Sequence, residues 1–130
     1  LKTVREFCHG RIILVFGCGG DRDKGKRPIM GRIGGELADL CILTSDNPRT
    51  EDPMEILREI EEGIKETTGE YVVIENRRDA IRHALEIGQE GDIIVLCGNG
   101  HETYQETMGV KRPFDEKVVV QELLTELRGE

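Results

Sequence analysis

Arg11-Ile12-Ile13-Leu14-Val15-Phe16 is apolar through its last five residues and runs straight into Gly17-Cys18-Gly19-Gly20. A strand with one wet face would alternate apolar and polar residues. This one does not, as expected when both faces are covered by helices in a parallel sheet. The pattern recurs at Leu40 to Thr44, Tyr71 to Ile74 and Ile93 to Cys97. Helix-like segments stand between these runs. Leu1 to Phe7 reads as the tail of a helix. Pro28 is placed to open one at its first position, with Ile29, Met30, Ile33 and Leu37 on one side and Gly34 and Gly35 weakening it. Asp52-Pro53 joins a capping carboxylate to a proline whose missing N–H costs nothing there. Ile56, Leu57, Ile60 and Ile64 form the buried stripe of that helix, and Glu59, Glu61, Glu62 and Glu66 face water. A third helix carries Ile81, Ala84 and Leu85 and stops near Gly88. A hairpin fits around Gly109. The last helix, after Asp115, buries Val119, Val120, Leu123, Leu124 and Leu127. The order β-α-β-α-β-α-β predicts an α/β fold, a mostly parallel sheet with helices on both faces and right-handed crossovers.

The 130 residues suit one domain with one sizeable core. A formal net charge of −8 disfavours nucleic acid, whose phosphates call for clustered Lys and Arg. No apolar run approaches the ~20 residues of a membrane helix. The start lacks both a signal-peptide core and an initiator Met, so the chain reads as a piece of a longer protein. Cys8, Cys18, Cys41 and Cys97 are widely spaced with no C-x-x-C pair, which indicates neither a zinc site nor a disulfide framework. Reduced thiols in a cytoplasm are the default. Met30, Met54 and Met108 read most simply as core fillers.

In a parallel sheet the loops after all strands emerge on one edge, where open α/β sheets bind their ligands. Three such loops are unusual: Gly17 to Asp23, Ser45-Asp46-Asn47-Pro48-Arg49, and Gly98-Asn99-Gly100-His101-Glu102. The first does not complete a dinucleotide fingerprint, because Arg22 stands where G-x-G-x-x-G needs its last glycine, and no G-x-x-x-x-G-K-[ST] occurs anywhere. Arg22 could clamp a carboxylate or pair with Asp21 or Asp23. Asp46, Asn47, Pro48 and Arg49 offer an anion, an amide, a rigid kink and a guanidinium, a set suited to a zwitterion; the same four residues could equally form a plain turn. In the third loop the glycines allow close backbone approach, and Glu102 can accept from an ammonium. His101 has no nucleophile or orienting acid at a telling spacing, so no catalytic residue is assigned and no metal site.

Gly17-Cys18-Gly19-Gly20-Asp21-Arg22-Asp23-Lys24-Gly25-Lys26-Arg27-Pro28, Thr44 to Thr50 and Gly98 to Gln105 closely resemble, in order and spacing, the C-terminal domain of the MurE branch of the Mur ligase family. The likeness runs over nearly the whole chain. It implies that residues 1–130 are a Rossmann-like, amino-acid-binding domain, and that the UDP-sugar and central ATPase domains lie outside this chain. It implies a cytoplasmic enzyme of peptidoglycan synthesis that adds meso-diaminopimelate to UDP-MurNAc-L-Ala-D-Glu through an acyl phosphate. ATP and Mg2+ would be bound mainly by the central domain, with Asp21, Lys24 and Lys26 as candidates to touch the nucleotide. Carried over by position, Arg22 would bind a substrate carboxylate. Asp46, Asn47, Pro48 and Arg49 would hold the far end of the amino acid, and the Gly98 carbonyl with Glu102 its ammonium. Asn99 stands where the family usually has lysine. A free-standing module for a dicarboxylic amino acid, and a Mur ligase relative with another substrate, are the competing readings.

Overall fold

The computed structural model describes residues 9–18, 25–46, 50–97, 104–107, 110–113 and 116–128. Four strands, β1 (Ile12–Phe16), β2 (Leu40–Leu43), β3 (Glu70–Val73) and β4 (Ile93–Leu96), form a parallel sheet in the order β3-β2-β1-β4. Between them run α1 (Lys26–Leu37), α2 (Pro53–Ile64) and α3 (Arg77–Ile87). A separate antiparallel pair, β5 (Tyr104–Thr107) and β6 (Val110–Pro113), is the hairpin expected around Gly109, and α4 (Glu116–Arg128) follows it.

β1 explains why helices must cover both sides. Ile12, Leu14 and Phe16 point to one face, where α2 lays down Ile56, Leu57, Ile60 and Ile64. Ile13 and Val15 point to the other, against Ala80, Ile81 and Ala84 of α3 and Val119 and Leu123 of α4. The core is therefore two layers, one on each side of the sheet. Asp52 caps α2 through the Met54 N–H at 2.9 Å, with Pro53 at its first position. Asn76 caps α3 through the Asp79 N–H at 3.0 Å.

α1 departs from expectation. It begins at Lys26, so Pro28 is its third residue rather than its first; the missing proline N–H is still among the four that no helix can satisfy. The larger surprise is its orientation. Ile29, Met30 and Ile33 are 47%, 45% and 44% exposed, and the buried face consists of Arg27, Gly31, Gly34 and Gly35. The cause is the distance to α2. A Cβ on Gly31 would strike the Ile60 carbonyl, and one on Gly63 would strike the Pro28 carbonyl. The two helices touch backbone to backbone, and the large side chains of α1 are displaced to the outside. Smaller corrections follow the same packing. Met54 is exposed, not in the core, as is Leu127, while Val120 and Leu124 are half-buried. Glu59 turns to Arg27 and Glu61 accepts from the Tyr71 hydroxyl at 2.8 Å, which leaves Glu62 and Glu66 as the water-facing pair. The helix expected over Leu1 to Phe7 and the position of Met108 lie outside the described residues. No described helix is long and apolar enough to cross a membrane.

Gly31→Ala tests the close approach. An alanine in a helix interior normally stabilises by roughly 0.5–1 kcal/mol over glycine. Here the sign should reverse, with a loss of about 1–3 kcal/mol from overpacking, read from urea unfolding midpoints. A stabilised variant would mean that the helices are further apart.

Candidate functional site

β2, β1 and β4 are three neighbours in the sheet, and the three unusual loops leave from their carboxyl ends. The fourth strand, β3, carries the ordinary turn and sits at the edge. Neighbouring strands lie about 4.8 Å apart, so the loop anchors span roughly 10 Å of one rim. The order reverses between β1 and β4, which is where a doubly wound sheet opens its crevice. Arg22, Asn47, Pro48, Arg49, Gly98 and Glu102, with Asp21, Lys24, Asn99 and His101, lie outside the described residues. Lys26 is exposed in the first turn of α1. What the structure does place are Asp46 and the anchors on which these residues hang.

The β1 and β2 loops start in contact. The Thr44 N–H donates to the Phe16 carbonyl at 2.9 Å. Gly17 has the Thr44 carbonyl where a side chain would begin, so no other residue fits there without moving the backbone. Asp46 follows immediately. Its carboxylate is near enough to the half-buried Cys18 for the charge to act on the thiol. Burial chiefly pushes that thiol up to about 11; the Arg27 charge draws it down, and Asp46 and Glu59 push it further up. Cys41, buried beneath, is pushed up to about 12 by burial. Both thiols stay protonated and are poor nucleophiles at neutral pH.

The loop after β2 is tied at both ends. On entry, the Thr44 hydroxyl donates to the Glu75 carbonyl at 3.1 Å, and the Ser45 N–H to the same oxygen at 3.2 Å. The Ser45 carbonyl accepts from Arg77 Nη1 at 3.2 Å. On exit, Glu51 receives a two-pronged ion pair from Arg27, Nη1 to Oε2 at 2.9 Å and Nη2 to Oε1 at 2.8 Å. Nη1 also reaches Glu59 Oε2 at 2.7 Å. The hydrogen bond to Glu51 is the main reason that the Arg27 pKa is raised, against the pull of burial. Ser45 and Glu51, which flank Asn47-Pro48-Arg49 in the sequence, are therefore both anchored.

Sequence reasoning missed both arginines. Arg27 appears in the sequence only within a motif, with no sign of burial, and Arg77 does not stand out at all. A charged residue at the start of a helix carries no visible mark of burial. An open hollow of about 510 Å3 elsewhere, at the amino ends of β1, β2 and β3, involves Arg11, Glu36, Asp39 and Glu70. Arg11 there pairs with Asp92 at 3.0 Å, and the three acids would repel a carboxylate ligand.

The fold is that of a parallel α/β domain whose polar, Gly- or Pro-bearing loops leave from three adjacent strands. The family model described as "Mur ligase, glutamate ligase domain" matches residues 1–100, and the chain belongs to the Mur ligase family. A protein of Caldanaerobacter subterraneus subsp. tengcongensis named UDP-N-acetylmuramoyl-L-alanyl-D-glutamate--2,6-diaminopimelate ligase is 58% identical over 126 residues, 97% of this chain and 26% of that protein. A Clostridium botulinum protein of the same name is 54% identical over 127 residues, again 26% of its length. A solved structure titled as such a ligase aligns with a TM-score of 0.91 at 44% identity, covering 98% of this chain and 26% of that one. The chain thus spans about a quarter of the length of these relatives.

Two outcomes follow from the geometry. Arg27→Ala removes the buried guanidinium that Glu51 and Glu59 share; breaking the pair at its buried member should cost about 3–5 kcal/mol, seen as a lower urea midpoint. Iodoacetamide at pH 8 should alkylate the exposed Cys97 and spare Cys18 and Cys41, mapped by peptide mass. Equal labelling of Cys18 and Cys97 would show that the Cys18 thiol is neither buried nor raised.

Proposed function

We propose that this chain is the amino-acid-binding domain of an ATP-dependent ligase that joins meso-diaminopimelate to UDP-MurNAc-L-Ala-D-Glu in peptidoglycan synthesis, in the cytoplasm. The observation that carries the reading is the adjacency of β2, β1 and β4, which brings the three motif-bearing loops to one rim. The relatives quoted above bear names consistent with it.

On this reading the magnesium nucleotide is bound mainly outside this chain. No P-loop occurs in its sequence, and among the described residues no group of three or more His, Cys, Asp or Glu is arranged to hold a metal ion. ATP and Mg2+ are assigned to a central domain, and the UDP-sugar to an N-terminal one, as in the family resemblance. The role of these 130 residues is to choose the amino acid, orient it and present its amino group to the acyl phosphate formed on the acceptor.

Arg22 takes a carboxylate of the incoming amino acid. Asp46, Asn47 and Arg49, with Pro48 stiffening the backbone, hold its far end, and the Gly98 carbonyl and Glu102 take the ammonium there. Diaminopimelate carries a carboxylate at that far end where lysine has hydrogen. A guanidinium placed for the carboxylate is left uncompensated by lysine, and a missing charged partner costs about 2–5 kcal/mol. This favours the diaminopimelate branch over a lysine-adding relative.

Replacing the matching stretch of the C. subterraneus ligase with this chain provides a full-length test. Arg49→Ala in that chimera should lower kcat/KM for diaminopimelate by roughly 30- to 3,000-fold and narrow its preference over lysine. Unchanged efficiency would remove Arg49 from the site. Calorimetry on the 130 residues alone should give weak or no diaminopimelate binding, because the site is completed on domain closure; tight binding would favour a free-standing module.

A further inference from the structure

Arg77 is an expensive residue in its place. It occupies the first position of α3, where the positive end of the helix opposes a cation, and it is only 1% exposed. Two unfavourable placements of one charge mark a position where local preference yields to another demand. That demand is visible in the contacts. Arg77 Nη1 donates to the Ser45 carbonyl at 3.2 Å and Nη2 to the Cys97 carbonyl at 3.0 Å. Ser45 leads directly into Asp46 to Arg49, and Cys97 leads directly into Gly98 to Glu102. The two residues leave from β2 and β4, which are not neighbours, since β1 lies between them. Each is also fixed by its own N–H, Ser45 to the Glu75 carbonyl at 3.2 Å and Cys97 to the Val15 carbonyl at 2.9 Å.

We propose that Arg77 is a positioning residue that sets the separation between Ser45 and Cys97, the residues from which the β2 and β4 loops leave. The inference rests on the substrate reading given above. A guanidinium suits the task because its donors point in fixed directions from a rigid plane. An ammonium is a point charge on one atom and lacks that fork. A displacement of about 1 Å in a binding constellation can cost on the order of 100-fold.

The test uses the full-length chimera carrying Arg77→Lys or Arg77→Met. The expected result for both is a KM for diaminopimelate raised on the order of 10- to 100-fold, with the KM for ATP within about 3-fold of the parent. The preference for diaminopimelate over lysine should fall in parallel, and the lysine variant should recover melting temperature without recovering KM. A purely structural role predicts the opposite split, a lower melting temperature with parental KM, and that result overturns the inference. Arg77→Met alone could fail to fold, and Arg77→Lys, which keeps charge and stem, then decides. Failure of the lysine variant to fold also assigns Arg77 to stability and overturns it. If the parent chimera does not ligate diaminopimelate, the substrate reading falls and takes this inference with it. If the parent does and Arg77→Lys keeps its KM, the inference alone falls.

Discussion

Burial of β1 on both faces is the constraint from which the rest of this domain follows. Ile12 to Phe16 lose almost all contact with water. That demands a layer of helix on each side, and a chain that supplies the layers one at a time must cross the sheet after each strand. Crossing connections make the strands parallel. Parallel strands bring every strand-to-helix loop to the same edge. The rim is thus a consequence of where the apolar residues had to go. What remains specific to this chain is that the three loops unusual in sequence leave from the three adjacent strands.

The rim is stiffened by charge in two different ways. Arg27 is neutralised by Glu51 and Glu59, a cation between two carboxylates, and joins α1 to the loop leading into α2 and to α2 itself. Arg77 donates to carbonyl oxygens. Both guanidinium groups have given up their water, a penalty that a well-made set of hydrogen bonds can offset but not turn into much net stability. Their value lies in direction. A loop held by a planar fork has little freedom at its anchor.

The strands, the capped helices and the hairpin could be read from the sequence because each has a local cause. Four to five apolar residues in a row, Asp52 before Pro53 and a glycine between two short strands all act within a few positions. The orientation of α1 could not be read this way. Its apolar residues Ile29, Met30 and Ile33 are the obvious inward face, yet Gly31, Gly34 and Gly35 point inward. Glycine reads locally as a weak point in a helix. Its use as a contact surface depends on Ile60 and Gly63 of another helix, some thirty positions away. The ion pair of Arg27 with Glu51 and the bridge from Arg77 to Ser45 and Cys97 are hidden for the same reason. The rim's recognition residues came from motif likeness, which identifies groups without placing them, whereas the anchors came only from coordinates.

The chain is acidic, with 26 carboxylates against 18 Lys and Arg, so any positive charge it presents to a carboxylate has to be local. Several acids are committed elsewhere. Glu51 and Glu59 are held by Arg27, Asp92 by Arg11, and Glu86 and Glu126 by Arg82. Asp92 has its pKa lowered chiefly by the Arg11 and Gln89 backbone N–H groups, so it keeps its charge at the far edge. Arg27, though near the rim, is itself compensated and offers a ligand little. On the reading proposed above, discrimination falls to Arg49, whose guanidinium would meet a carboxylate in diaminopimelate and none in lysine. A mobile arginine could swing into solvent when lysine is bound and lose nothing. An arginine held in place would have to meet a carboxylate or stay unmatched, and on the proposed reading that difference is what would separate diaminopimelate from lysine.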